Sequence, residues 1–269
     1  MSTEYASECP TPSNAIVPRP MAGRTFAIGD IHGEYEQLIG LLSLFPELDA
    51  KDTLLFLGDY LDRGPHCKEV VDYLMLLPGL TKAKVVCLRG NHEDAWLRVC
   101  HKGWNEFLLP VRNGCLATYR SFVGGEVPKM DEYPREHEME AMSKGSFFPK
   151  KTLRWLEKLP FWYEDEHAIY VHAGLPIDGE RFLHPGEVKD PVILLWIRTE
   201  AFFRNYRGKH VVFGHTHTEF LPQELSSYTP DDPKDLWAGE NAIGIDTGCG
   251  SGGFLTGFEF PAMLVYESR

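Results

Sequence analysis

Positive charge is scarce in this chain: 27 Lys and Arg stand against 39 Asp and Glu, a formal net charge of −12 over 269 residues. That balance excludes a general nucleic-acid binder, whose affinity rests on cationic side chains along the phosphate backbone. The six cysteines (Cys9, Cys67, Cys87, Cys100, Cys115 and Cys249) include no Cys-x-x-Cys pair, which argues against a zinc knuckle or a disulfide framework. Cys87 reads as a small core residue. Cys249, with no base paired to it in sequence, reads as packing rather than chemistry. No run approaches the ~18 apolar residues of a membrane helix, and no basic-then-apolar stretch opens the chain. A cytoplasmic protein with no membrane partner is therefore expected. No internal repeat is present. Residues 1–22, rich in Ser, Thr and Pro, read as a flexible arm ahead of one domain over 23–269.

Core material is ample, with 43% hydrophobic residues, and much of it falls in six short apolar runs: 24–28, 53–57, 84–88, 168–171, 210–213 and 242–245. Continuous apolar runs of this length suit strands buried on both faces, so the fold class is α/β. Leu38, Leu41, Leu42 and Phe45 recur at helical spacing and stop before Pro46; residues 68–77 repeat the theme and end at Pro78-Gly79. The order from 24 to 88 is β-α-β-α-β, which favours parallel strands with right-handed crossovers. Residues 96–159 read as a helical cap, broken at Asn113-Gly114, Gly124-Gly125, Pro128 and Pro134. Trp96 and Trp104 are expected in its core. Residues 219–241, with Pro222, Pro230 and Pro233, read as a long surface loop.

Each run leads into residues suited to metal or phosphate: Asp30-x-His32, Asp59, Asn91-His92-Glu93, His172, His215-Thr216-His217 and Asp246. Ligands gather outside the carboxyl ends of strands in α/β sheets. A lone Asp-x-His is commonest as a simple turn, and a lone buried His as a satisfied core residue. Six such placements at successive strand ends are not explained that way. A carboxylate can bridge two cations, so the set divides into one site of Asp30, His32 and Asp59 and a second of Asp59, Asn91, His172 and His215. Mixed oxygen and imidazole donors suit Mn, Fe or Zn better than Ca.

Gly29-Asp30-Ile31-His32-Gly33, Gly58-Asp59-Tyr60-Leu61-Asp62-Arg63-Gly64 and Arg89-Gly90-Asn91-His92-Glu93 resemble the signatures of the phosphoprotein phosphatases. These are the serine/threonine phosphatases among the calcineurin-like metallophosphoesterases. His172-Ala173-Gly174, Leu195-Trp196-Ile197-Arg198, Gly214-His215 and Asp246-Thr247-Gly248 look like later motifs of their bacterial and phage members. The resemblance spans roughly residues 24–260. It implies a β-sandwich flanked by helices in α/β/β/α layers, two divalent metal ions (Mn foremost) and phosphomonoester hydrolysis by an activated water. It also implies His92 as general acid with Asp62 orienting it, and Arg63, Arg89 and Arg198 as bidentate phosphate holders. His217 departs from the phosphoprotein phosphatase pattern and matches the broader family, where it would add a ligand to the first metal. The glycine-rich run 248–257 lacks the tyrosine that animal phosphatases carry nearby.

The leading expectation is a protein serine/threonine phosphatase acting on a phosphorylated protein or peptide. The alternative is a symmetrical dinucleoside tetraphosphate hydrolase acting on a dinucleoside polyphosphate. Those hydrolases typically carry Ala where Asp62 stands and Asp where Glu93 stands, and this favours the phosphatase. Related dinucleotide and mRNA-cap hydrolases can share the signature, however. A catalytically dead phosphopeptide-binding protein would have lost a ligand or His92, and none is lost.

Overall fold

Alternation along the strands explains the architecture. A computed structural model describes residues 23–229 and 231–269; the arm expected over 1–22 lies outside them. The described chain begins β1 (Thr25–Ile28), α1 (Tyr35–Leu44), β2 (Thr53–Phe56), α2 (Cys67–Leu76), β3 (Lys84–Cys87). Four helices follow: α3 (Asn91–Lys102), α4 (Cys115–Val123), α5 (Glu136–Lys144) and α6 (Lys150–Lys158). Then come β4 (Trp162–Glu164), β5 (Ala168–Val171), a small hairpin of β6 (Ile177–Asp178) and β7 (Arg181–Phe182), and short helices α7 (Ile193–Trp196) and α8 (Glu200–Asn205). The chain closes with β8 (His210–Phe213), β9 (Trp237–Ala238), β10 (Ala242–Gly244), β11 (Thr256–Phe260) and β12 (Leu264–Glu267).

The six apolar runs all form strands, and they divide between two sheets, as the β-sandwich implied by the resemblance requires. The first has the order β12-β11-β1-β2-β3, with β1, β2 and β3 parallel; the second has β4-β5-β8-β10-β9, with β5, β8 and β10 parallel. Successive side chains of a strand point to opposite faces. Ala27 and Leu55 of the first sheet therefore meet Tyr170, Val212 and Ile243 of the second in one inter-sheet core. Phe26, Ile28, Leu54 and Phe56 point the other way, onto α1 and α2. Ile169 and Val171 likewise point away from the first sheet, onto Leu194 of α7 and Phe202 of α8. The result is four layers: helices, sheet, sheet, helices.

Phe107, Cys115, Met142 and Leu156, from the insertion expected as a cap, join the same core as Leu38 and Val70. They therefore extend the first helical layer. The loop expected over 219–241 is more ordered than its prolines suggest. Leu236 and Trp237 are buried, β9 pairs with β10, and the Trp237 indole donates to the Pro222 carbonyl at 2.9 Å. No described helix is long and apolar enough to cross a membrane.

Candidate metal centre

Ends of strands from both sheets meet at one point. β1 delivers Asp30 and His32, β2 delivers Asp59, and β3 leads into Asn91 at the start of α3; β5, β8 and β10 deliver His172, His215 and Asp246. All seven side chains are buried. Backbone bonds lace the loops together: the Ile31 and His32 N–H groups donate to the Asp59 carbonyl at 3.1 and 2.8 Å, and Gly214 N–H donates to the His172 carbonyl at 2.8 Å. The His215 N–H donates to Asp30 Oδ2 at 3.0 Å, tying one sheet to the other. A Cβ on Gly214 would lie 2.0 Å from Asp30 Oδ1, so glycine is what allows this closure. His32, Asp59, Asp62, Arg63 and His215 all have φ between +47° and +73°. Left-handed backbone at residues other than glycine costs about 1–3 kcal/mol each and persists only where surrounding contacts enforce it.

Asp59 sits at the centre. His32 Nε2 is 3.5 Å from its Oδ2 and His172 Nε2 is 3.4 Å from its Oδ1, so its two oxygens face opposite halves of the cluster. His32 Nδ1 bonds the Leu61 carbonyl at 2.8 Å and His172 Nδ1 the Leu57 carbonyl at 3.0 Å, which aims both Nε2 atoms inward. Asn91 Oδ1 lies 2.9 Å from His172 Nε2 and 2.7 Å from His215 Nδ1. Two sets, His32-Asp59-His92 and Asp59-His172-His215, bring potential ligand atoms within 4.8 Å of one another.

The electrostatics fit cations. Burial, with Asp246 and Asp59 close by, raises the Asp30 carboxyl well above its ordinary range. Burial pushes the His32 and His215 imidazoles well below theirs and lowers that of His172. Burial also works against an ionised Asp59, but the imidazoles of His172, His92, His32 and His215 outweigh it and lower its pKa. Asp30 Oδ1, His32 Nε2 and His215 Nε2 are buried without a hydrogen-bond partner, a costly arrangement that bound cations relieve. The residues present thus fit a divalent pair, with Asp30, His32 and Asp59 available to one ion and Asp59, Asn91, His172 and His215 to the other.

Beside the cluster, His92 Nδ1 lies 2.6 Å from Asp62 Oδ2, and its Nε2 is 3.8 Å from Asp59 Oδ2. Burial lowers the His92 pKa, but Asp59 and Asp62 outweigh that and raise it. Asp62 is wholly buried. Its Oδ1 accepts from the Trp96 indole at 2.8 Å and from the Thr118 hydroxyl at 2.5 Å. Trp96, expected only as cap core, packs against Phe147 and Phe148 and also fixes this carboxylate. Glu93, which the sequence gives as part of the Asn91-His92-Glu93 strand end and as a family discriminator, is a backbone clamp. Its Oε2 accepts from the Asp59 and Gly90 N–H groups at 2.8 and 2.9 Å, and its Oε1 from Tyr60 and Leu61 at 2.8 and 3.2 Å. Its place in the Asn91-His92-Glu93 run was the available signal. Asp246, heading the sixth strand end, had an equally clear one.

A cleft of about 710 Å³ opens over the cluster, lined by Asn91, His92 and His215 and by Arg63 and Arg198. Arg63 donates to Ser251 Oγ at 3.3 Å; Arg198 donates to Thr216 Oγ1 at 3.2 Å and the His215 carbonyl at 3.0 Å. Arg89 requires a correction: its guanidinium lies away from the cleft. It donates to the Leu156 and Glu157 carbonyls at 3.2 and 2.7 Å and sits over Phe161, so it satisfies the C-terminal end of α6. His217 sits on the rim, its ring stacked on exposed Phe220 and its Nε2 4.0 Å from Asp246 Oδ2. Trp104, expected in the cap core, instead lines the cleft, stacked on Phe107 and edge-on to Trp196.

Residues 23–219 match the calcineurin-like phosphoesterase family. An asymmetrical bis(5'-nucleosyl)-tetraphosphatase of Bacillus cereus is 25% identical over 265 aligned residues, covering 88% of this chain and 90% of the relative. A symmetrical bis(5'-nucleosyl)-tetraphosphatase of Coxiella burnetii is 31% identical over 195 aligned residues, 68% of this chain but only 53% of that relative. Among solved structures, the cold-active protein-tyrosine phosphatase of a psychrophilic Shewanella has the same fold, with a TM-score of 0.52 at 16% identity over 88% of this chain and 75% of that one. With the family spanning most of the chain and the buried carboxylate–imidazole cluster at its centre, this chain belongs to the calcineurin-like phosphoesterases, metal-dependent hydrolases of phosphate esters.

Proposed function

We propose that this enzyme hydrolyses dinucleoside polyphosphates. The observation that carries the reading is the aromatic lining of the cleft. Trp104, Phe107, Trp196 and Phe220 all line it, Trp104 stacked on Phe107 and edge-on to Trp196, with Arg63 and Arg198 among the same lining residues. Purine and pyrimidine faces stack on such rings, and guanidinium groups grip phosphate oxygens bidentately. The named activity of both relatives points the same way. The sequence's second reading therefore replaces its first, the protein serine/threonine phosphatase. Asp62 and Glu93, the residues that favoured the phosphatase, orient His92 and hold the Asp59 loop; they are poor reporters of what leaves.

In this reading Asp30, His32, Asp59, Asn91, His172 and His215 would hold two divalent ions. Their mixed oxygen and nitrogen donors suit Mn, Fe or Zn better than Ca. Such ions, when bound, would neutralise charge at the phosphoryl group and make a water more acidic. Arg63 and Arg198 orient the phosphate chain within the cleft. His92 donates its Nδ1–H to Asp62, which leaves Nε2 to carry a proton towards the leaving oxygen. His217, on the rim beside Asp246, is assigned an outer position.

The test is product analysis. Diadenosine tetraphosphate incubated with enzyme and Mn²⁺ should disappear, giving ADP alone if the central anhydride is cut or ATP with AMP if an outer one is. Intact dinucleotide alongside phosphate release from a phosphothreonine peptide would overturn the proposal.

A further inference from the structure

A second hollow adjoins the cleft. It has a volume of about 310 Å³ and lies between residues 111–117 and residues 128–132, with Gly250 and Ser251 on its remaining side. Arg63 and Arg112 belong to the walls of both hollows. Arg112 is exposed and makes no hydrogen bond or ion pair among the described residues, so its charge is free in a chain of net charge −12. Two guanidinium groups thus stand on the boundary shared by the two spaces, a ridge that an extended anionic chain would cross.

The far wall is fastened. Glu132 accepts from Arg120 Nη2 at 2.6 Å and from the Lys129 N–H at 2.8 Å, and Arg120 is itself buried against Glu138 at 2.9 Å. Leu116 and Ala117 make an apolar, buried floor, and Met130 stands on the rim, 94% exposed. Small-molecule pockets run from about 300 to 1,000 Å³, so this one accepts a fragment of nucleoside size. A thioether on the rim is a soft, adaptable contact for an aromatic ring.

We infer that this second cavity receives the far nucleoside of a dinucleoside polyphosphate, while Arg112 and Arg63 hold the phosphates that cross the ridge. The inference rests on the function proposed above and deepens it: the substrate is two-ended because the enzyme has two nucleoside spaces joined by an arginine ridge.

Three substrates separate the claims: diadenosine tetraphosphate, adenosine 5'-tetraphosphate (the same phosphate chain with one nucleoside) and p-nitrophenyl phosphate. The wild type should favour the two-nucleoside substrate over the one-nucleoside substrate by about tenfold or more in kcat/KM. Met130→Glu, which sets a carboxylate at the cavity mouth, should bring that ratio close to one, mainly through KM. Arg112→Ala should lower kcat/KM for both tetraphosphates by about tenfold more than for p-nitrophenyl phosphate. A wild type that prefers the dinucleotide but keeps its ratio in Met130→Glu overturns the second subsite and leaves the proposed function standing. A wild type active on p-nitrophenyl phosphate and inert to diadenosine tetraphosphate overturns both.

Discussion

Replacing Glu93 with Gln changes one oxygen into an NH2 group and probes what holds the bridging aspartate in place. Each Glu93 oxygen accepts two backbone N–H groups, from Asp59 and Gly90 on one side and from Tyr60 and Leu61 on the other. Whichever oxygen the amide nitrogen replaces, two buried N–H donors then face a donor. An unsatisfied buried polar group costs about 1–3 kcal/mol, so the pair costs about 2–6 kcal/mol. For a chain of this size each kcal/mol lowers Tm by about 2–4 °C, giving an expected fall of roughly 4–24 °C. Asp59 also has a left-handed backbone, φ 53°, and its carboxylate faces both halves of the cluster. Losing the N–H clamp should therefore weaken Mn²⁺ binding at both positions together. Calorimetric unfolding and Mn²⁺ titration of purified protein measure the two effects. A Glu93→Gln protein with unchanged Tm and wild-type Mn²⁺ affinity would refute the positioning role.

Other expectations follow from the same geometry. His92→Asn should retain its metals and lose about 10²–10⁴-fold in kcat on a serine phosphate, whose alkoxide needs a proton, and less on p-nitrophenyl phosphate or an anhydride. Equal losses on all three would remove His92 from proton donation. Trp104→Ala should cost about 1–3 kcal/mol of base stacking, raising KM for diadenosine tetraphosphate by about 5- to 150-fold, with Trp104→Phe recovering most of it. Failure of Phe to restore KM would count against stacking. Arg120→Met leaves Glu138 buried without its partner, at a cost of about 3–5 kcal/mol near neutral pH. Arg120 holds Glu138 below its ordinary 4.5, so this stabilisation is present above that pH and is lost as the pH falls through the lowered value. The Tm gap between wild type and Arg120→Met should narrow on acidification; a constant gap from pH 7 to about 3 would show that the ion pair is not its source.

Much of the centre could be read from the chain because continuous apolar runs mark strands buried on both faces, and their last residues must emerge where ligands bind. That logic places Asp30, Asp59, His172 and His215 at strand ends from the sequence alone. The division of the six strands into two sheets comes from the motif resemblance and not from the runs themselves, since pairing depends on long-range contacts. Nor do the runs reveal β11, where Phe258 and Phe260 face the inter-sheet core and Glu259 points the other way, behind a glycine-rich turn. Side-chain direction was the other blind spot. Arg89 and Arg63 look alike beside their motifs, yet one satisfies a helix end and the other enters the cleft. Trp96 and Trp104 share a helical segment of sequence, but one turns inward to Asp62 and the other lines the cleft. The contrast between phosphoprotein and dinucleotide rested on Asp62 and Glu93, which act within the protein, whereas the aromatic walls come together only in the fold.

The most direct test is kcat/KM with Mn²⁺ for diadenosine tetraphosphate beside a phosphothreonine peptide, measured on the same preparation. A clear preference for the dinucleotide is predicted, with all turnover lost on chelation. A preference for the peptide would contradict the account, returning Trp104, Trp196 and Phe220 to the role of a peptide groove.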